Sequence, residues 1–409
     1  MDFTVSVSVL YRAVRGSSDD CLMKIVFALI GTDRSGGVKY VFEVANRLEN
    51  RGHDVKILAL RGDHRWFKGL RAEVIYKQPV RFNRLAFVAH KVYDVYAHFK
   101  YGRSARPYES LLSITYSLGI APDHIRELAE LVQNFEADAA VATYYPTAFS
   151  VWLASPAKKL FYLMQDFPEL IEGEGYTELR RFQLTLRLPF HFIAISNYTR
   201  ELILGENPSA KVTVVNPGVD SRIFRPRRDL LDFGKGKRKV MVMLRWGAHK
   251  GNEVAVRVLN ELNKKIPIHV IIVGDKKLVK TYFKIIKFNF SYSLFSGVDD
   301  ETLARLYSSA DAFLHTSYAE GFGSPPLEAM ACGTPVVMTD SKGSRDYAVD
   351  GYNALVSQPG DVKSLAENLL RVLQDDKLRE RLVENGLETA RRFTWDSTAE
   401  KFEEALREG

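Results

Sequence analysis

The chain has 409 residues, of which 46% are hydrophobic, 26% charged and 11% aromatic, a composition that excludes a disordered or fibrous polypeptide. It is too long for one ordinary core, so two domains are expected. The net charge is +7, and the two cysteines, Cys21 and Cys332, lack the neighbours of a zinc module or disulfide framework, which fits a reducing, intracellular setting. No apolar run reaches the roughly 18–20 residues that span a bilayer, and the first residues lack a secretory leader pattern. The protein is expected to be neither exported nor integral to a membrane.

Residues 1–22 match no element and read as an N-terminal extension. Regular patterning begins at Met23, with "KIVFALI", a helix from about Val38 to Arg51, and "DVKILAL", which together predict a βαβ unit and a parallel sheet. Residues 61–106 then carry eleven Lys and Arg against Asp63, Glu73 and Asp94, interleaved with aromatics such as Trp66, Phe87 and Tyr101. That mixture suits an anionic surface, lipid headgroups or a phosphorylated acceptor, ahead of nucleic acid. The alternative is a solvated helical face with its aromatics turned into the core. A helix near 122–135 and strands at "AAVAT", "KLFYLMQ" and "HFIAIS" would complete the first sheet, with Ser196 or Asn197 capping the helix at "SNYTREL".

The stretch 216–236, with Pro217, Pro226 and a "GKGKRK" tail, reads as a linker. A second series follows: "KVMVMLR", "IHVIIVG", "YSLFSG", "DAFLHTS", "PVVMTD" and "ALVSQ", separated by helices near 252–264, 299–310, 325–332 and 361–373. Two Rossmann-like doubly wound α/β units facing each other across a cleft are the economical architecture. Ligands in such sheets bind beyond the carboxyl ends of the strands.

One post-strand loop, "EGFGSPPLEAMACGTPVV" from Glu320 to Val337, places two glutamates eight positions apart. Ser324 reads as an N-cap with Pro325 at the first helical position, and Gly333 ends the helix. Glu320 then lies in the loop and Glu328 in the first helical turn. A capping box would need its glutamate at Leu327, so Glu328 is one place off for that role. A carboxylate at a helix N-terminus can take both hydroxyls of a vicinal diol such as a ribose, and Glu320 could reach a second polyol. Gly321 and Gly323 allow close backbone approach, and the helix N-terminus favours a phosphate.

"EGFGSPPLE" resembles the E-x7-E motif of retaining glycosyltransferases of the GT-B fold, in particular glycosyltransferase family 4. The resemblance runs from about Met23 to Glu408. It implies that Glu320 touches the donor sugar, that backbone N–H groups at Phe322 to Ser324 contact sugar and phosphate, and that Glu328 holds the nucleotide ribose. In "LRWGAHKG", Arg245 and Lys250 are spaced like the family's pair on the donor diphosphate; two cations can balance that leaving group. Gly36 and Gly37, which precede a helix, match the family's glycine loop and imply contact with donor phosphate or acceptor. Gly274 and Val298 resemble positions near the base. Many members carry a His-Asp pair where this chain has Gln165 and Asp166; Asp166 is kept as a catalytic candidate that either orients the acceptor or caps a turn.

On this reading the chain divides into an extension (1–22), an acceptor-side domain (23–216), a nucleotide-sugar domain (217–394) and a final helix crossing back to the first domain (395–409), with Trp395 and Phe402 buried. No D-x-D, P-loop, G-x-S-x-G or tight histidine pair occurs, so no metal and no cofactor are expected. The expected activity is transfer of a sugar from a nucleoside diphosphate sugar to a cytoplasmic glycan or lipid-linked acceptor. An anionic membrane surface is the expected partner of residues 61–106, and no nucleic acid is expected. The rivals are a GT-B epimerase or phosphorylase, and a non-catalytic membrane- or nucleic-acid-binding protein with a relict nucleotide pocket.

Overall fold

The computed structural model describes residues 22–77, 123–155, 157–172 and 176–409. Nearly all of the N-terminal extension, and residues 78–106 of the basic segment, lie outside the described residues.

Short runs rich in Val, Ile, Leu and Ala, apolar on both sides, suit strands covered on both faces, and such strands assemble in parallel. Among the described residues they form two sheets. The first holds β1 (Lys24–Gly31), β2 (Asp54–Arg61), β3 (Glu73–Tyr76), β4 (Ala137–Ala142), β5 (Ala157–Met164), β6 (His191–Ala194) and β7 (Val212–Val214), in the order β3-β2-β1-β4-β5-β6-β7. The second holds β8 (Arg238–Leu244), β9 (Ile268–Gly274), β10 (Ser291–Phe295), β11 (Ala312–His315), β12 (Val336–Thr339) and β13 (Ala354–Ser357), in the order β10-β9-β8-β11-β12-β13. Every pairing in both is parallel.

The covering helices are α1 (Gly36–Asn50), α2 (Asp123–Gln133), α3 (Tyr145–Ala154), α4 (Tyr176–Thr185), α5 (Asn197–Glu206), α6 (Asn252–Lys265), α7 (Lys276–Ile285), α8 (Asp300–Ser308), α9 (Ser324–Ala331), α10 (Val362–Gln374), α11 (Asp376–Arg391) and α12 (Trp395–Glu408). Two helix starts differ from expectation. Gly36 and Gly37 do not precede α1 but form its first two residues, because Ser35 caps it by accepting from the Val38 N–H at 3.2 Å. Ser324 is likewise the first residue of α9 and not its cap; the cap is Gly323, at φ 84° and ψ 61°, without a side-chain hydrogen bond. Pro325 and Pro326 explain this, because two of the four N–H groups that a helix start leaves unpaired do not exist here.

The largest apolar cluster joins both sheets. It runs from Phe27 and Ile57 through Tyr40 and Phe42 of α1 to Met241, Tyr307 and Phe322, and it includes Trp395 and Phe402 of α12. Trp395 and Phe402 are 5% and 0% exposed. Trp395 meets Tyr40 edge-on at 5.6 Å and Phe402 lies 5.7 Å from Phe27. Glu403 on the same helix accepts from Arg51 and Arg407 at 2.9 and 2.7 Å and faces His53 Nε2 at 3.0 Å. The last helix is thereby fastened to the first sheet, although the chain reaches it from the second.

Candidate active site

Each sheet reverses its winding direction once, between β1 and β4 and between β8 and β11. Side chains and loops leaving the carboxyl ends of strands at such a reversal enclose a crevice. The loop after β8 carries Arg245 and Lys250, and the loop after β11 carries Glu320 to Gly323, so the second sheet brings both candidate motifs to one place.

The loop between β11 and α9 is held by its carbonyls. Gly343 N–H donates to Glu320 O at 3.2 Å, Ser196 Oγ from the first half donates to Gly321 O at 2.5 Å, and Tyr347 donates to Gly323 O. The N–H groups of Phe322, Gly323 and Ser324 are left without an acceptor among the described residues. A turn whose carbonyls at Glu320, Gly321 and Gly323 are engaged and whose N–H groups are free at a helix N-terminus is an anion cradle. Gly323 supplies the left-handed backbone that this turn requires.

Glu320 is 9% exposed. Lys250 Nζ donates to both of its oxygens at 2.9 Å, Ser317 Oγ donates at 2.7 Å, and His315 Nε2 lies 3.7 Å away. Burial pushes the carboxyl up, but the nearby Lys250, then His315 and the hydrogen bonds from Lys250 and Ser317, outweigh it and hold the carboxyl at about 2. Burial in turn lowers His315 to about 4, so at neutral pH it is uncharged. His249, also buried and lowered by burial and by Lys250, packs edge-on against Phe167 at 5.5 Å.

With α9 starting at Ser324, Glu328 is its fifth residue and lies just past the first turn and not, as expected, within it; it is partly buried there, and Tyr307 OH donates to it at 3.3 Å. Its carboxyl is raised by burial, opposed by the charges of Lys39 and Arg245. Lys39, on α1, reaches across the cleft to Asp300 at 2.6 Å, and Arg34 binds Asp300 at 2.9 Å and the Val298 carbonyl at 2.6 Å. Val298 therefore stands at the cleft in contact with the first half, while Gly274 closes β9 beside Leu244, the residue before Arg245. Arg245 is exposed. Gly37 lies against Gln165, close enough that a Cβ there would come within 2.9 Å of Gln165 Oε1, and Gly36 is exposed.

Asp166 is 2% exposed, and its Oδ2 accepts from the Tyr145 N–H and the Tyr162 hydroxyl, both at 2.9 Å. It fixes the end of β5 to the start of α3. Among the described residues no cluster of three or more His, Cys, Asp or Glu is placed to hold a metal ion, and no helix is long and apolar enough to cross a membrane.

Sequence reasoning does not single out Lys39, Arg34, Asp300, Ser317, His315, Tyr307 or Tyr347, and it names Ser196 only as a helix cap, the role it holds at α5, without its hydrogen bond to Gly321. Lys39 and Arg34 flank the glycine pair and Asp300 lies in "SGVDDE", so the motifs lie close by. What local sequence does not show is that segments more than 260 residues apart meet.

Two parallel, doubly wound sheets with their carboxyl-end loops turned to a common cleft define the GT-B class of fold. The structure of Anabaena HepE in complex with UDP-glucose is similar, with a TM-score of 0.69 at 18% identity over 95% of this chain and all of that one. Residues 34–222 match the family model Glycosyltransferase Family 4 and residues 227–389 the model Glycosyl transferases group 1. The chain belongs to this family of glycosyltransferases, group 1 in its second half and family 4 in its first. It is 41% identical over 100 residues to the O-antigen chain mannosyltransferase B of Escherichia coli, covering 24% of this chain and 26% of that protein. It is 30% identical over 206 residues to the D-inositol 3-phosphate glycosyltransferase of Corynebacterium efficiens, covering 47% and 48% of the two. The chain thus spans about a quarter and about half of the length of these two relatives.

Proposed function

We propose that the protein moves a sugar, a hexose or deoxyhexose, from a nucleoside diphosphate sugar to a glycan or lipid-linked acceptor on the cytoplasmic side, with retention of anomeric configuration. The carrying observation is the cradle of free N–H groups at Phe322 to Ser324, set between Glu320 and Glu328 at the switch point of the second sheet. In this reading Glu328 takes the ribose diol, and Gly274 and Val298 border the base. The cradle, Arg245 and Lys250 take the diphosphate, and Glu320 receives hydroxyls of the donor sugar. Gly36 and Gly37 let the start of α1 approach the same phosphates.

The leaving group gains negative charge as its bond to the sugar breaks. Donors already oriented in the protein, the N–H groups together with Lys250 and Arg245, stabilise that charge without reorganisation, and with them no metal is needed. Glu320 is ionised at neutral pH, so it accepts from sugar hydroxyls and balances positive charge growing on the sugar. The departing phosphate oxygen takes the acceptor's proton on the face from which it leaves, which gives retention. Asp166 acts as a positioning residue through its hold on the β5 end and Gln165. The basic segment 61–106 supports a lipid-linked or otherwise anionic acceptor. The relatives' names, a mannosyltransferase of an O-antigen chain and a glycosyltransferase of inositol 3-phosphate, support glycan or phosphorylated acceptors.

The test is transfer from UDP-, GDP-, dTDP- and ADP-sugars to membrane extracts and glycans in the presence of EDTA, with the product's anomeric configuration read by NMR. Expected is transfer with retention from one nucleotide class, with Glu320→Ala lowering turnover roughly 100-fold, the scale of losing one oriented transition-state contact. Glu328→Ala should act on donor affinity instead. No transfer from any donor, or an inverted product, would overturn the proposal.

A further inference from the structure

From Lys276 to Tyr292 the chain carries five lysines, Lys276, Lys277, Lys280, Lys284 and Lys287, with no arginine and no acidic residue. At about 100° per residue, the four lysines on α7 fall within a single arc of about 100°. Leu278 and Val279 fall on the other side and are 5% and 0% exposed in the core of the second sheet. The apolar side of α7 is thus spent on the fold. All five lysines are exposed, and none has an acidic partner among the described residues, whereas Lys39, Lys56, Lys77 and Lys264 each meet a carboxylate. Like charges at i,i+4, as at Lys276, Lys280 and Lys284, repel one another and cost stability unless something neutralises them.

We propose that this lysine face is a docking surface for an anionic lipid bilayer. Lysine without arginine suits a diffuse sheet of charge, because ammonium groups act as point charges, whereas recognition of individual phosphates and base edges favours the arginine fork. The strip continues past α7 to the outer strand β10, where Tyr292 is 39% exposed and Lys237 Nζ donates to Ser291 Oγ at 3.0 Å. An exposed tyrosine beside lysines is the side-chain pairing of a membrane interface. The face begins at Lys276, two residues after Gly274 at the carboxyl end of β9, and runs back along the sheet to Ser291 and Tyr292 at the amino end of β10. The inference stands without the proposed chemistry, since no residue in it belongs to the cleft.

The full chain would be tested for co-sedimentation with phosphatidylcholine vesicles, with and without phosphatidylglycerol, at low and high salt. Alongside it goes Lys276→Gln/Lys280→Gln/Lys284→Gln. The wild type is expected to bind only the phosphatidylglycerol vesicles and to dissociate in high salt. At about five-fold per lysine near an anionic surface, the triple variant should bind on the order of 100-fold more weakly. An unchanged unfolding midpoint and an unchanged response to nucleotides would show that the variant's fold and cleft are intact. Binding equal to wild type in the variant, or no wild-type binding to anionic vesicles, overturns the proposal. So does tighter, lysine-dependent binding to single-stranded oligonucleotides than to vesicles, which would identify nucleic acid as the partner. Loss of sugar transfer in solution by the wild type would count against the proposed function and leave the vesicle result standing.

Discussion

Lys250→Met removes the cation paired with a carboxylate that is itself shut away from water. Glu320 sits at about 2 against an ordinary 4.5, and at about 1.36 kcal/mol per unit this corresponds to roughly 3 kcal/mol of stability at pH 7. Breaking a buried pair by deleting one partner costs a similar amount, about 3–5 kcal/mol. Because the folded value is depressed, the wild-type contribution is complete above about pH 4.5 and is lost only as the pH falls towards 2. In Lys250→Met burial is left with weaker opposition, the Glu320 carboxyl moves upward, and the variant gains stability relative to wild type as the pH falls from 8 to 5. Urea unfolding at those two pH values measures both effects, and Lys250→Met/Glu320→Gln should recover most of the loss. A loss for Lys250→Met within about 0.5 kcal/mol, the range of an ordinary surface substitution, with no pH dependence, would refute the view that Lys250 holds Glu320 ionised in the closed cleft.

Asp300→Asn deletes the charge that ties Arg34 and Lys39 of the first half to the second. These are partly exposed pairs worth at most about 1 kcal/mol each, enough to shift an open–closed balance several-fold. Solution scattering should show a larger radius of gyration for the nucleotide-free variant, and an unchanged radius would speak against a clasp. Phe402→Ala empties a fully buried site between Phe27 and Tyr40 and should cost about 3–5 kcal/mol in denaturant unfolding; a loss under 1 kcal/mol would show that α12 is not anchored there. His191 and His315 are both lowered to about 4, His191 by burial with Lys211 and Lys159 nearby. Their contribution is present above about pH 6.5 and disappears as the pH falls towards 4. His191→Gln, which keeps a hydrogen-bonding group near Thr213, should flatten the acid side of the stability profile, and an unchanged slope would contradict this.

Strands are the most legible part of the fold, because runs such as "KIVFALI" and "IHVIIVG" are apolar on both sides and can be read from a few residues. β3 is not legible, being four residues long inside a basic segment. Nor are α7 and α11, although α7 segregates its lysines from Leu278 and Val279. The helix starts at Gly36 and Ser324 differ from expectation by one or two positions, because caps depend on backbone geometry that composition only hints at. In the site, Glu320, Glu328, Arg245 and Lys250 can be brought together from motif spacing and sheet logic. Ser196, Tyr347, Lys39 and Asp300 cannot, since each works by contact between distant segments. Asp166 is ambiguous in sequence because, although Tyr162 lies only four residues before it on β5, its other partner, the Tyr145 N–H, comes from the start of α3.

The most direct test of the nucleotide-sugar site is thermal stabilisation by UDP, GDP, dTDP and ADP without added metal, for wild type and Glu328→Ala. A nucleotide at about 100 times its dissociation constant adds about 2.7 kcal/mol. One nucleotide class should raise the wild-type unfolding midpoint and have little effect on Glu328→Ala at the same concentration. If no nucleotide stabilises the wild type, or if the variant responds equally, Glu328 does not hold the ribose of a nucleoside diphosphate in the cleft beside Glu320.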